Sequence, residues 1–384
     1  MTERRILLLT LRFGSGHLQA SRAIAEELKR QAPAASVRVI DALAVSRLLF
    51  RACYEWPYWV MVRHAPALWG SFFERRVSHM TRRTAPEWAF CWGCAEVFKQ
   101  MARFKPDTIL AIEVAACEIA TIAKAQGVTT ARIINVITDY EAEPAWIRPE
   151  VNAYVVPDTE VGQQLGAWGA AIEQLVAYGI PTSRSFRLRH DTGKTRMKYG
   201  IPTSVPIVLL MGGGMGPTRM GDVASLLCES RQQMQIVAIT GHDRRTRKKL
   251  ERLRVLPPVR LSVLGWTDEV AALMQAADVL VTKPGGLTIA EAALSGVPLV
   301  ICDAIPGPEQ ANAARLLKAG AAIVTTGRQN TAVAVLSLLK DPETRRQMSL
   351  SIREMQAPTA ATNVAAFALN KQELSPSMPR RMTA

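Results

Sequence analysis

Between residues 6 and 324 the chain repeats one pattern: a short apolar run, a turn rich in glycine or polar residues, then an amphipathic stretch. Runs such as 6-ILLLT-10, 108-TILAI-112 and 207-IVLLM-211 lack the in-out alternation of a strand with one wet face. Parallel strands covered on both sides by helices read this way. Predicted strands are 6–10, 37–41, 108–112, 132–137 and 153–156, then 207–211, 235–239, 261–264, 279–282, 299–302 and 322–324. The polar segment 181-PTSRSFRLRHDTGKTRMKYGIP-202 divides them into two series. The expected class is α/β, with two doubly wound domains, as 384 residues allow. Residues 1–180 form the first domain, 181–200 the linker and 201–355 the second domain. A helix at 356–374 is free to pack back on the first domain, and the Pro-containing 375–384 is expected to be disordered.

Residues 44–104 break the alternation and read as a helical insertion in the first domain. The stretch from Arg47 to Lys105 carries ten Lys/Arg against four Glu, and five of the eight Trp: Trp56, Trp59, Trp69, Trp88 and Trp92. The whole chain has formal charge +14, which calls for an anionic partner. Mingled with clustered Trp rather than forming a recognised module, the basic residues do not point to nucleic acid. The second basic run, 242-HDRRTRKKLERLR-254, reads as a solvated helix face. No apolar run reaches 18 residues and no secretory signal is visible, so the expected setting is cytoplasmic. The six Cys form no disulfide framework, and Cys91 and Cys94 read as core-facing thiols on one helix turn.

Three glycine turns follow predicted strands. In 11-LRFGSGHLQASRAI-24, Gly14, Ser15 and Gly16 lead into a helix that begins near His17, a geometry that offers backbone N–H groups to an anion. In 207-IVLLMGGGMGPT-218, Gly212, Gly213, Gly214 and Gly216 permit close backbone approach to a diphosphate. The ending Gly216-Pro217-Thr218 lacks the Lys of an ATP-hydrolysing loop. In 281-VTKPGGLTIAEAALSGVPLV-300, Lys283-Pro284-Gly285-Gly286 opens a helix with Glu291 just over a turn in, where a carboxylate can accept from ribose hydroxyls. After the next strand, Glu309, Gln310 and Asn312 are placed to meet sugar hydroxyls, although Gln310 also suits an exposed helix face.

The block TKPGGLTIAEAALSGVPLV followed by PGPEQAN resembles the donor-binding half of the monogalactosyldiacylglycerol synthase and processive diacylglycerol glucosyltransferase family. These are relatives of the peptidoglycan lipid-linked N-acetylglucosaminyltransferase. GSGHLQAS resembles the family's Gly-Gly-Gly-His turn, and 135-NVITDYEAEPAW-146 its Thr-Asp…Trp segment. The resemblance implies a GT-B fold of two Rossmann-like domains and an inverting, metal-free transfer of a sugar from a UDP-sugar to a lipid acceptor. It implies no cofactor, and a peripheral place at the cytoplasmic membrane face. Carried over by position, Glu291 holds the ribose, with Leu287 and Thr288 beside it. Gly212, Gly213, Gly214, Lys283, Gly285 and Gly286 face the diphosphate, and the backbone at Gly265 meets the uracil. Glu309 and Asn312 read the sugar. Gly14, Ser15 and Gly16 form the acceptor-side loop, His17 is the candidate base, and Asp139 lines the cleft.

The same resemblance places membrane docking in the aromatic, basic insertion. Trp and Tyr favour the interface, and each basic residue near an anionic surface adds about 1 kcal/mol. The chain departs from the family at Pro308, where a Gln is usual, at Glu143-Pro144, and at Ile112-Glu113-Val114. Glu113 therefore competes with His17 for the base role, or is a buried carboxylate paired with an Arg. The alternatives to a diacylglycerol-type acceptor are a polyprenyl-linked or soluble one, or a non-catalytic homologue that binds nucleotide or membrane.

Overall fold

The computed structural model describes residues 4–78, 83–212 and 220–370. The predicted disordered tail and the loop residues Gly213, Gly214 and Gly216 lie outside these. The chain divides into two compact units: one of residues up to 183, with 306–308 and those from 357 on, and one of residues 184–305 and 309–356.

In the first unit the strands are β1 (Arg5–Thr10), β2 (Ser36–Asp41), β3 (Thr108–Ile112), β4 (Arg132–Val136), β5 (Ala153–Val156) and β6 (Leu175–Ala177). All pair in parallel, in the order β2-β1-β3-β4-β5-β6. The three-residue β6 was missed in the sequence, because 175-LVA-177 is too short to show a pattern.

Successive side chains on each strand enter opposite cores. Leu7, Leu9, Ile109 and Ala111 face one core, with Phe50, Phe90, Val97 and Met101 of the insertion. Ile6, Leu8, Leu110 and Ile112 face the other, covered by Ala20, Ile24 and Leu28 and by Val364, Phe367 and Ala368. This second cover includes the helix Ala360–Leu369, which returns from the chain's C-terminal end. Arg132 grips it, donating to the carbonyls of Phe367 (3.2 Å) and Asn370 (2.9 Å) with its guanidinium over the Phe367 ring. A cation at a helix C-terminus offsets the partial negative charge there.

The insertion is helical, with helices Leu48–His64, Pro66–Ser78, Glu87–Gly93 and Ala95–Phe104. Cys94 is in the core with Cys91 packed against it, and both are free thiols. The outer faces are apolar: Leu48 is 82% exposed, Trp88 71%, Trp56 67% and Leu68 61%. Among the described residues no helix is long and apolar enough to cross a membrane.

The second unit holds β7 (Ile207–Met211), β8 (Gln235–Ile239), β9 (Arg260–Leu264), β10 (Val279–Thr282), β11 (Leu299–Ile301) and β12 (Ala322–Val324). Their order is β12-β11-β10-β7-β8-β9, again all parallel. In each sheet the strand order reverses once, between β1 and β3 and between β7 and β10. Ligands of doubly wound sheets bind at the carboxyl ends of the strands beside that reversal. The loops there carry His17, Glu113, Gly212 and Lys283.

Candidate active site

In the second unit, β10 ends in Lys283-Pro284-Gly285, and Gly285 is the N-cap of the helix Gly286–Ser295. No side chain caps this helix and no acid lies in its first turn, so its leading N–H groups are available to an anion. A Cβ on Gly285 would meet nothing within 4 Å, so packing does not demand a glycine there. Close approach of a ligand to the backbone would. Lys283 is only 7% exposed and has no ion pair or hydrogen bond among the described residues. A buried cation without a partner is costly unless an anion joins it.

Thr288 and Glu291 are three residues apart on this helix and share a face. Leu287 is buried, so only its backbone can meet a ligand. Burial pushes the Glu291 carboxyl up to about 8 from its ordinary 4.5.

The far end of the same helix is closed by the helix Pro342–Arg353. Arg353 donates to the Ser295 carbonyl at 3.2 Å and Ser349 to the Gly296 carbonyl at 2.6 Å. Gly296 has φ +71, and a Cβ there would lie 2.1 Å from the Arg353 guanidinium. Arg353 thus offsets the negative end of the helix whose positive end faces the Lys283 turn.

The next turn differs from the expectation. Asn312 is fully buried, and its amide donates to the Pro284 carbonyl at 2.9 Å. In this position Asn312 supports the Lys-Pro-Gly-Gly turn. Glu309 accepts from the Ile305 N–H at 2.8 Å, fixing the turn before its helix, and Gln310 is exposed. At the end of β9 the Leu264 carbonyl accepts from both the N–H and the hydroxyl of Thr240, each at 2.9 Å. That leaves Gly265 as the first free backbone position, with Trp266 beyond it stacked on His242 at 4.8 Å. Gly212 is buried at the end of β7.

In the first unit, Gly14 takes φ +129, a conformation that glycine alone adopts without strain, and turns the chain from β1 toward the helix Gly16–Gln31. Ser15 is the N-cap residue but makes no side-chain cap. His17, in the first helical turn, places Nδ1 2.9 Å from the Thr138 hydroxyl, just beyond β4. Burial holds the imidazole at about 4, below its ordinary 6.5, so it is neutral at pH 7. With Nδ1–H donating to Thr138, Nε2 keeps its lone pair for a proton. Asp139, half-buried, follows Thr138.

Glu113 is neither a base free to act nor an Arg partner. Its Oε2 accepts from the N–H groups of Ala115 (2.8 Å) and Ala116 (3.3 Å), capping the helix Val114–Ala125. Burial, with Glu118 and Glu143 nearby, raises its carboxyl to about 8 against the pull of those two N–H groups. At pH 7 it holds its proton while His17 has none. The buried carboxylate paired with an Arg is Glu118, 3.3 Å from Arg148 and bonded by Thr84. Thr138, Glu118 and the isolation of Lys283 escaped the sequence reading, since each depends on residues far apart in the chain or on burial.

The monogalactosyldiacylglycerol (MGDG) synthase profile matches residues 17–182, and the group 1 glycosyl transferase profile matches 198–355. The first half of the chain is thus similar to monogalactosyldiacylglycerol synthases and the second to group 1 glycosyl transferases. A processive diacylglycerol beta-glucosyltransferase of Bacillus cereus is 26% identical over 377 residues, covering 97% of this chain and 95% of the relative. The two matches fall on the two units in turn, and solved structures agree on the fold. MurG of Acinetobacter baumannii superposes with TM-score 0.62 at 14% identity, covering 95% of this chain and 99% of that one. Anabaena HepE, solved in complex with UDP-glucose, gives 0.57 at 15% identity over 95% of this chain and 99% of that one. The fold of this chain is GT-B.

Proposed function

We propose that the chain transfers a hexose from a UDP-sugar to a lipid acceptor of the diacylglycerol or glycosyl-diacylglycerol type, inverting the anomeric carbon without a metal ion. The observation that carries this reading is Lys283, a buried cation with no partner among the described residues, beside an uncapped helix N-terminus and an open glycine. Lys283 and the N–H groups at Gly285, Gly286 and Leu287 suit a diphosphate, and Glu291, one turn along, suits the ribose hydroxyls. As the acceptor oxygen bonds to C1 of the sugar, the C1–O bond to UDP breaks and its electron pair leaves with the diphosphate. Fixed N–H groups and the lysine stabilise that developing charge. The acceptor hydroxyl's proton passes to His17 Nε2, and Asp139 stands by the imidazolium that results.

Attack opposite the leaving group turns an α-linked donor into a β-linked product, in keeping with the name of the Bacillus relatives. The exposed Leu48, Trp56, Trp88 and Leu68, among basic residues, are the surface by which this reading puts the protein on the inner face of an anionic membrane, where its acceptor resides. The test is incubation of the protein with UDP-glucose, UDP-galactose or UDP-N-acetylglucosamine and diacylglycerol vesicles, with product masses read out. A hexosyl-diacylglycerol from one donor is the expected result. No glycolipid from any donor overturns the reading.

A further inference from the structure

Glu113 closes the helix Val114–Ala125 in a way no other described side-chain cap does. Asp41, Asp158, Asp191, Asp243 and Asp341 each cap a helix with their side chains, at φ values of −85, −160, −74, −77 and −116. Glu113 does the same work with a longer side chain, from φ +126 and ψ 149. That is a backbone region essentially reserved for glycine, outside the left-handed helical well. An aspartate or serine would cap equally well with relaxed backbone, so capping alone does not account for a glutamate held there.

The strain has a geometric result. Both cap bonds go to Oε2, and Oε1 has no hydrogen-bond partner among the described residues. Glu113 also sits at the strand-order reversal of its sheet. Thr10 of β1 is in register with Ile112, and Ala111 with Asn135 of β4, so Glu113 lies level with Ile137, one residue before Thr138. The loops after β1, β3 and β4 thereby bring His17, Glu113 and Thr138 to one edge.

We infer that Glu113 is an acceptor-binding residue whose Oε1 hydrogen-bonds an oxygen of the acceptor's polar head, beside the hydroxyl that His17 deprotonates. The inference rests on the glycosyltransferase reading above. The groups that set its protonation are Glu118 on its own helix, Glu143 on the loop beyond β4 and the two capping N–H groups. Burial and the two carboxylates, against the pull of the two N–H groups, hold the carboxyl un-ionised to about pH 8. It therefore donates a proton in the bond to an ether, ester or hydroxyl oxygen, and a lipid head rich in such oxygens is the ligand class it fits.

The experiment compares wild type, Glu113→Gly and Glu113→Gln in steady-state transfer to diacylglycerol in mixed micelles, with UDP binding by calorimetry. Glycine is at home at this φ and ψ, and glutamine keeps both the cap acceptor and a donor. Glu113→Gly is expected to raise the acceptor KM tenfold or more with unchanged UDP Kd. Glu113→Gln is expected to rescue most of that loss and to abolish the rise in acceptor KM that wild type shows above pH 8. An unchanged acceptor KM in Glu113→Gly leaves only a cap and overturns the inference. So does Glu113→Gln losing kcat as fully as a base knockout, because that makes the ionised carboxylate the reactive form. Absence of transfer by wild type itself overturns the underlying reading, and this inference with it.

Discussion

The His17 ring and the Thr138 hydroxyl, 121 residues apart in sequence, are joined by a 2.9 Å hydrogen bond at Nδ1. The bond fixes the ring's orientation, and with Nδ1–H as its donor, Nε2 is the nitrogen left to take a proton. Thr138→Val is expected to lower kcat about tenfold or more, as loss of one buried hydrogen bond of about 0.5–1.5 kcal/mol and of tautomer control would do. UDP affinity should not change, and Thr138→Ser should restore kcat. Equal kcat for the Val and Ser variants refutes the role.

Lys283 separates stability from binding. Replacing a buried cation that has no partner among the described residues with an apolar side chain of similar length removes a desolvation cost. Lys283→Met is therefore expected to raise Tm while weakening UDP binding by about 1.5–3 kcal/mol, the worth of a hydrogen bond to a charged group. Calorimetry and thermal melting on the same sample check both directions at once.

Glu291 makes stability depend on pH. Its folded value of about 8 stands above the ordinary 4.5, so its contribution is fully present below pH 4.5 and is lost as pH rises through 8. Glu291→Gln cannot ionise. The Tm of wild type minus that of Glu291→Gln should therefore fall steadily between about pH 4.5 and 8 and level off above. His17, lowered to about 4, acts in the opposite sense, present above 6.5 and lost as pH falls through 4, but it is common to both proteins and cancels.

The exposed aromatic face of the insertion predicts vesicle binding. Trp56→Ser with Trp88→Ser should cut partitioning onto anionic vesicles about tenfold or more, and raised salt should weaken the wild type's binding. Sedimentation with vesicles of phosphatidylglycerol and phosphatidylcholine gives the measurement. Partitioning untouched by the double variant moves the docking surface elsewhere.

The turn and helix of the donor half were legible in the sequence because their signals are local. Lys283, Gly285 and Glu291 fall within nine residues, and strand, turn and helix follow one another there without interruption. The bond of the Asn312 amide to Pro284 was not legible, because helix register alone does not say which face a turn covers. Glu113 left two readings open, and the structure shows a third, since the N–H groups that hold it belong to its own helix. Thr138 stood in a quoted motif, but its partner lies across two strands of the sheet. The Glu118–Arg148 pair leaves no periodic trace, and three residues of β6 are too few to make one.

The helix Ala360–Leu369, gripped by Arg132, decides the order in which the molecule is completed. Domains commonly finish folding from the N-terminal end during synthesis. Here the face of the first sheet that carries Ile24 and Leu28 waits for Val364 and Phe367, and so for nearly the whole chain to be made. The unit holding His17 is begun before the second unit and closed after it. A chain cut short before this helix leaves an open apolar surface on its oldest part.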